Sequence, residues 1–391
     1  MIQTQAFSVN QPTRIVFGVN TIEQLGDMVS ELGGRRVFLV ADPGLKQSGI
    51  VKQITTILET AKIPYALYDK VTPEPGLKLA DQGVKLAGKH KADCVVGVGG
   101  GSALDIAKAV SILLTNGGKA EDYLGLGKIK QRGVPKIMIP TTAGTGAEVT
   151  FTAVFINEKT NSKGGMNGDP LYPDAAILDP ALTLSLPPHV TAATGIDAFT
   201  HALEAYVSTQ AHVISDMYAL EAIGLISSNL GIAYANGSNL AARSAMLLGS
   251  LLGGKALATA GVGLVHAMAY PLGGMFNTAH GLANAVLLPY VVEYNIIGNP
   301  EKFATVAQVM GYETEGLPPR EAAQLAVEAI HQLNADVSIP GSLADLNIPA
   351  DQIPEMAKIA LTVTRPVENN PRKPTLDDVI AVYEAAFNGA F

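Results

Sequence analysis

Between residues 37 and 142 the spacing of apolar positions keeps switching between two patterns. Short β-rich runs, VFLVAD (37–42), PYALYD (64–69), ADCVVGVGGG (92–101) and KIMIPTT (136–142), alternate with longer stretches. In those stretches, from about Lys46 to Thr60, Leu77 to Lys89 and Ser102 to Thr115, apolar residues recur every three to four positions. A compact apolar run bounded by turn residues predicts a buried strand, and the three-to-four period predicts an amphipathic helix. Their alternation predicts βαβ units, hence a parallel sheet covered on both faces. TFTAVFIN (150–157) and AAILDP (175–180) read as added strands near the edge of that sheet. After LSLPPHVTA (184–192) the strand pattern stops, and the remaining segments read as Ala-, Leu- and Ile-rich helices broken at GG, NG and NP. The predicted organisation is an α/β domain over residues 1–187 followed by an all-helical domain over residues 188–391.

Composition sharpens this picture in three places. Apolar residues make up 48% of the 391 positions and charged residues 16%, so much surface is hidden in cores or between subunits, and a homo-oligomer is expected. A net charge of −8 argues against nucleic acid or an anionic membrane as the main partner. Cys94 is the only cysteine, which excludes an intrachain disulfide or a cysteine-based zinc site and suits a reducing cytoplasm. No cationic segment followed by an apolar stretch opens the sequence, so no secretory signal is expected. The stretch Ala256–Val292 has no Asp, Glu, Lys or Arg and imitates a membrane span by length. His266, His280, Asn277, Asn284, Pro271 and Pro289 interrupt it, and basic clusters do not flank it. Buried helices, and no membrane, are the expectation.

Candidate chemistry in the first half lies at strand ends. Gly99-Gly100-Gly101-Ser102 stands between a predicted strand and a predicted helix, where backbone N–H groups approach a pyrophosphate most closely. Ser102 and Asp105 are spaced as an N-cap and N3 pair, an Asp form of the capping box. The full dinucleotide fingerprint is not met, because Ser102 replaces its third glycine. PTTAGTGAEVT (140–150) follows the next strand, and its threonine hydroxyls suit phosphate or ribose. Two such turns on successive strands predict a nucleotide site. Asp42 ends the strand VFLVAD, where an acid binds ribose hydroxyls and repels a 2′-phosphate; a simple turn residue before Pro43 is the alternative.

In the second half, GIDAFTHALEAY (195–206) places Asp197 and His201 four residues apart, on one helix face in an apolar run. A buried carboxylate needs a positive partner, and a protonated His201, a distant Lys or Arg, or a metal ion are the alternatives. Among the seven histidines, His201, His266 and His280 lie in apolar, glycine- and alanine-rich sequence with few charged neighbours. One divalent cation satisfies all four side chains together.

The segments GGGSALDIAK, PTTAGTGAEVT, GIDAFTHALEAYVS, GLVHAMAYPLGG and AHGLANAVLLPYV together resemble the iron-containing (group III) alcohol dehydrogenase family, over roughly residues 10–390. The resemblance implies an N-terminal NAD(P)-binding α/β domain, a C-terminal helical domain, and an active site with one divalent metal in the cleft between them. It implies Asp197, His201, His266 and His280 as metal ligands. By the same match, Gly99, Gly100, Gly101, Ser102 and Asp105 fall on the pyrophosphate and nicotinamide side of the cofactor. Thr141, Thr142 and Thr145 match a second cofactor turn, Lys163 a cofactor-contacting lysine, and Asp42 the position favouring NAD over NADP. Three neutral imidazoles and one carboxylate around Fe²⁺ or Zn²⁺ give a net charge of +1 and suit an alcohol oxygen. The family commonly carries a second histidine four residues after the third ligand; here that position is Tyr270, which shapes the pocket or relays a proton.

The expected activity is hydride transfer between a small alcohol, diol or aldehyde and NAD. A zinc glycerol dehydrogenase-like enzyme is an alternative, although His201 favours the iron group. A dehydroquinate synthase-like lyase is another, although residues 190–300 hold only Arg243 and Lys255 as cations for an anionic substrate. Iron is expected, with zinc left open, since these ligands accept both.

Overall fold

A computed structural model describes residues 6–159 and 162–389. The chain divides into two compact units, and the main break falls between Ser185 and Leu186. An α/β unit holds residues 11–142 and 146–185; a helical unit holds residues 6–10, 143–145 and 186–389. The short segment 143–145 therefore groups with the helices, which a division by position alone at residue 187 does not capture.

The strands are β1 (Arg14–Phe17), β2 (Val37–Ala41), β3 (Tyr65–Tyr68), β4 (Cys94–Gly99), β5 (Gly125–Leu126), β6 (Lys136–Pro140), β7 (Thr152–Asn157), β8 (Ser162–Asn167) and β9 (Ala175–Leu178). The α/β unit also carries helices α1 (Leu25–Glu31), α2 (Ile50–Thr60), α3 (Leu77–His90) and α4 (Gly101–Asn116). Six strands form one parallel sheet in the order β1-β9-β6-β4-β2-β3. Along β2, Phe38 and Val40 enter one apolar cluster with Val95, Ala103 and Val110, while Val37, Leu39 and Ala41 enter another with Ile54, Val96 and Ile139. Both faces are covered, so the strand reads as an unbroken apolar run rather than an alternating one. Each fully buried Val, Leu, Ile or Phe among them contributes roughly 1.5–3 kcal/mol.

One strand expectation holds and one needs correction. AAILDP forms β9 near the edge of the sheet, as expected, with β1 outside it as the edge strand. RIVF is only half-buried, as an edge strand is, and carries no strong apolar signal. TFTAVFIN does not join the main sheet. It forms β7, antiparallel to β8 in a separate three-stranded sheet with β5.

The helical unit comprises α5 (Pro188–Val207), α6 (Val213–Ala235), α7 (Leu240–Ala260), α8 (Leu264–Phe276), α9 (His280–Asn295), α10 (Pro300–Val309), α11 (Pro319–Asp336), α12 (Ile353–Leu361), α13 (Thr364–Asn369) and α14 (Leu376–Asn388). Pro188 occupies the first turn of α5, where a missing N–H costs nothing. Helices α6, α7 and α9 pack around α5 and bury it almost throughout. The uncharged stretch is split among three helices, with α7 and α8 bent by 104° at the intervening break. Among the described residues no single helix is long and apolar enough to cross a membrane.

Candidate metal centre and nucleotide turns

Helix α5 builds the centre of the buried polar cluster. Asp197, His201 and Glu204 fall at i, i+4 and i+7, so all three project from one face. Asp197 is 3% exposed, His201 5% and Glu204 3%. His266 comes from the first turn of α8 and His280 from the first residue of α9. Asp197, His201 and His266 offer donor atoms that all lie within 4.8 Å of one another. His280 Nε2 lies 3.9 Å from Asp197 Oδ1, the same distance as His201 Nε2. The His201 and His266 rings stack at 4.8 Å between centroids, and His280 meets His266 edge-on at 5.2 Å. All four residues singled out from the sequence are thus gathered in one place.

Gly281 makes that gathering possible. A Cβ at this position would overlap the Ala193 carbonyl and press on Asp197 Cβ, so any larger residue holds the start of α9 away from α5.

Three further groups belong to the cluster and were not read from the sequence. His201 Nδ1 lies 3.3 Å from the Gly144 carbonyl, and His266 Nδ1 lies 2.5 Å from Glu204 Oε2. Donation of Nδ1–H to those oxygens turns each Nε2 lone pair inward. Asn284, one turn beyond His280 on α9, donates its amide to Asp197 Oδ1 at 2.7 Å. The same nitrogen lies 3.2 Å from His266 Nε2 and 3.3 Å from His280 Nε2. Asn284 Oδ1 is buried with no hydrogen-bond partner. A donor group among three acceptors, with an orphaned oxygen beside it, marks a place suited to a cation.

Electrostatics agree with that fit. Burial pushes the Asp197 carboxyl upward, but the three imidazoles and the Asn284 amide outweigh it and hold it below the ordinary range. Burial, aided by repulsion from His266, pushes His201 below the usual imidazole value, which favours the neutral, ligating form.

The sequence-predicted nucleotide residues collect at the C-terminal ends of β2, β4 and β6. Chain order reverses between β2 and β4, so this is the switch point at which parallel sheets bind ligands. Asp42 Oδ2 accepts the Gly100 N–H at 2.7 Å, tying the two strand ends together. Burial raises the Asp42 carboxyl and this hydrogen bond opposes the shift. Gly99 adopts φ +143°, and a Cβ there would overlap the Asp42 carboxylate. Thr141 N–H continues the ladder to the Gly99 carbonyl at 3.0 Å, and Thr142 lies against Gly100. Gly101 and Ser102 are the first two residues of α4, both partly exposed. Thr145 lies in the segment that groups with the helical unit.

Asp105 behaves differently from the expected capping residue. The N-cap of α4 is Gly100, with no side-chain cap bond, so Ser102 is already inside the helix and the capping box is absent. Asp105 instead accepts the Val154 N–H at 2.9 Å and pairs with Lys108 at 3.7 Å. Burial raises its carboxyl to about 6, with Lys108 opposing. Lys108 is fully buried and donates to Thr150 Oγ1 and the Thr152 carbonyl, fastening α4 to β7. Lys163 pairs with Glu74 at 2.6 Å. Tyr270 stands one turn after His266, its ring 6.2 Å from that of His280.

Comparison with known proteins gives a consistent answer. The description "Iron-containing alcohol dehydrogenase" matches residues 12–180, and "Fe-containing alcohol dehydrogenase family, C-terminal" matches residues 191–387. The chain is 44% identical over 385 residues to long-chain-alcohol dehydrogenase 1 of Geobacillus thermodenitrificans (strain NG80-2), covering 96% of this chain and 97% of that one. It is 42% identical over 373 residues to 1,3-propanediol dehydrogenase of Citrobacter freundii, covering 95% and 96%. A crystal structure of 1,3-propanediol oxidoreductase superposes with a TM-score of 0.96 at 40% identity, over 98% of this chain and 100% of that one. With both halves matched and a buried Asp/His cluster on α5 and α8, the chain belongs to the iron-containing alcohol dehydrogenase family.

Proposed function

We propose that this protein is an NAD-dependent, metal-dependent dehydrogenase that interconverts small alcohols or diols with their aldehydes. The observation that carries the reading is the meeting of Asp197, His201 and His266 donor atoms within 4.8 Å, with His280 alongside. These four residues would hold one divalent cation, Fe²⁺ by preference and Zn²⁺ by the same donors. When bound, the cation supplies Lewis acidity toward the alcohol oxygen. NAD supplies the hydride acceptor, and Asp42, the Gly99–Ser102 turn and Thr141–Thr142 would hold it, with Thr145, Asp105 and Lys163 as further candidates.

The chain's own groups orient and shield. The Gly144 carbonyl and Glu204 fix the imidazoles of His201 and His266 with Nε2 inward. Tyr270 is assigned to the wall of the substrate pocket beside His280. Its hydroxyl both donates and accepts a hydrogen bond, so a proton passes it along a hydrogen-bonded chain.

The lyase alternative loses support at its cations. Arg243 is 2% exposed and donates to Gly237, Leu186 and Thr191, so it is engaged in structure. Lys255 lies over the Tyr218 ring. A cytoplasmic homo-oligomer completes the reading, supported by the buried Cys94 and by Val213 and Met217, which are 55% and 64% exposed on α6.

The test is anaerobic purification, loading with Fe²⁺ or Zn²⁺, and an NADH-absorbance screen of short alcohols, diols and aldehydes. Turnover is expected to need the metal, and kcat/KM to favour NAD over NADP by roughly tenfold or more, from the Asp42 charge. Absence of NAD reduction on every alcohol contradicts the reading, and equal efficiency with NADP removes Asp42 from its role.

A further inference from the structure

Among the described residues, Glu204 is the one buried acid beside the metal cluster that offers it no ligand. Its two oxygens have separate partners on α8. Oε1 accepts the Val265 N–H at 2.6 Å and Oε2 meets His266 Nδ1 at 2.5 Å. Val265 is the second residue of α8, so its N–H is one of the donors that a helix start leaves without an intrahelical partner. Both donors point at the same carboxylate, so both oxygens act as acceptors. A carboxylate near a helix N-terminus is favoured by the helix dipole as well. Gly263 adjoins the group, and a Cβ there would approach Glu204 Oε1 to 3.1 Å.

We infer that Glu204 is a positioning residue for the metal site: it fixes His266 as the Nδ1–H tautomer, turns Nε2 toward the Asn284 amide inside the cluster, and supplies the second negative charge. This inference rests on the metal-dependent reading above. Two consequences follow from the geometry. With Nδ1–H donated to Glu204, the Nε2 lone pair is the only one His266 offers, and it faces the Asn284 amide that marks the cation's place. Counting Glu204 with Asp197 gives two negative charges, so a divalent cation with neutral imidazoles makes the buried cluster formally neutral rather than +1. Neutrality matters here because an uncompensated charge in an interior costs several kcal/mol. A carboxylate behind a ligating histidine also raises that ligand's basicity and locks its ring.

Glu204→Gln separates this role from mere packing. The amide keeps the size of the side chain but has one acceptor oxygen. If that oxygen stays with Val265 N–H, its NH₂ faces His266 Nδ1 and drives the imidazole proton to Nε2, into the metal site. Zinc and cobalt(II) affinities of the full chain are measured by competition with a chromogenic chelator, together with the visible spectrum of the cobalt form and the far-UV circular dichroism. The expected result is affinity lower by about 10–100-fold and a changed cobalt spectrum, with unchanged helicity. Wild-type affinity and spectrum in a folded E204Q overturn the inference while leaving the dehydrogenase reading intact. A wild-type protein that takes up neither metal overturns the reading itself, and the inference with it. Should E204Q not fold, ¹⁵N-histidine spectra of zinc-loaded wild type decide, with His266 identified by its absence from a His266→Asn variant. A proton on His266 Nδ1 is expected; metal on Nδ1, or a proton on Nε2, overturns the assignment.

Discussion

Replacing His266 with alanine strips the metal from the protein and lowers kcat/KM for alcohol oxidation roughly a thousandfold or more, equivalent to about 4 kcal/mol of lost transition-state stabilisation. The size follows from what the side chain touches. His266 contributes one of three mutually close donors, and it also accounts for half of the hydrogen bonding to Glu204. Its removal therefore opens the ligand set and leaves a buried carboxylate short of a partner, a change that costs several kcal/mol in a site of this kind. Metal content by elemental analysis and steady-state NADH production check the prediction. NAD binding, followed by fluorescence, is expected to stay near the wild-type level, because Asp42 and the glycine turn belong to the separate α/β unit. Retention of metal and of activity in the variant removes His266 from the centre.

The opposite dissection comes from Gly99→Ala. Gly99 combines φ +143°, which side-chain-bearing residues rarely adopt, with a position where a Cβ would overlap the Asp42 carboxylate and crowd Ala103. The turn must rearrange, and the Asp42–Gly100 hydrogen bond that ties β2 to α4 goes with it. A loss of roughly a hundredfold in kcat/KM for NAD is expected, corresponding to about 3 kcal/mol, within the range that strain at such a position supplies. Metal content is expected to remain that of the wild type. Titrations of NAD and metal on the same preparation check both halves, and an unchanged KM for NAD argues against the turn as the cofactor's seat.

The α/β alternation was legible because a sheet covered on both faces writes each central strand as an apolar run, and β2, β4 and β6 all do so. What escaped reading lies where that signal is physically weak. RIVF of β1 is a half-buried edge, and SKGGMN of β8 has glycines where a strand usually shows apolar side chains. Asp105 has the spacing of a capping residue, but the long-range pull of the Val154 N–H, with Lys108 one turn on, determines where it points. At the metal cluster, the i, i+4 spacing of Asp197 and His201 was a local signal, available without tertiary structure. Glu204 was overlooked because a glutamate in a helix is usually solvated; its place seven residues after Asp197, on a helix buried almost throughout, was the available clue. Asn284, one turn after His280, carried the same kind of clue. The Gly144 carbonyl offered none, since a backbone acceptor leaves no mark in residue types.

The most direct measurement is a crystal structure of the anaerobically prepared, metal-loaded protein with anomalous data collected at the iron and zinc edges. One anomalous peak per chain, bonded by Asp197, His201, His266 and His280, is the predicted result. An ion bound elsewhere, or those four side chains closed on one another with no ion under saturating metal, contradicts the account.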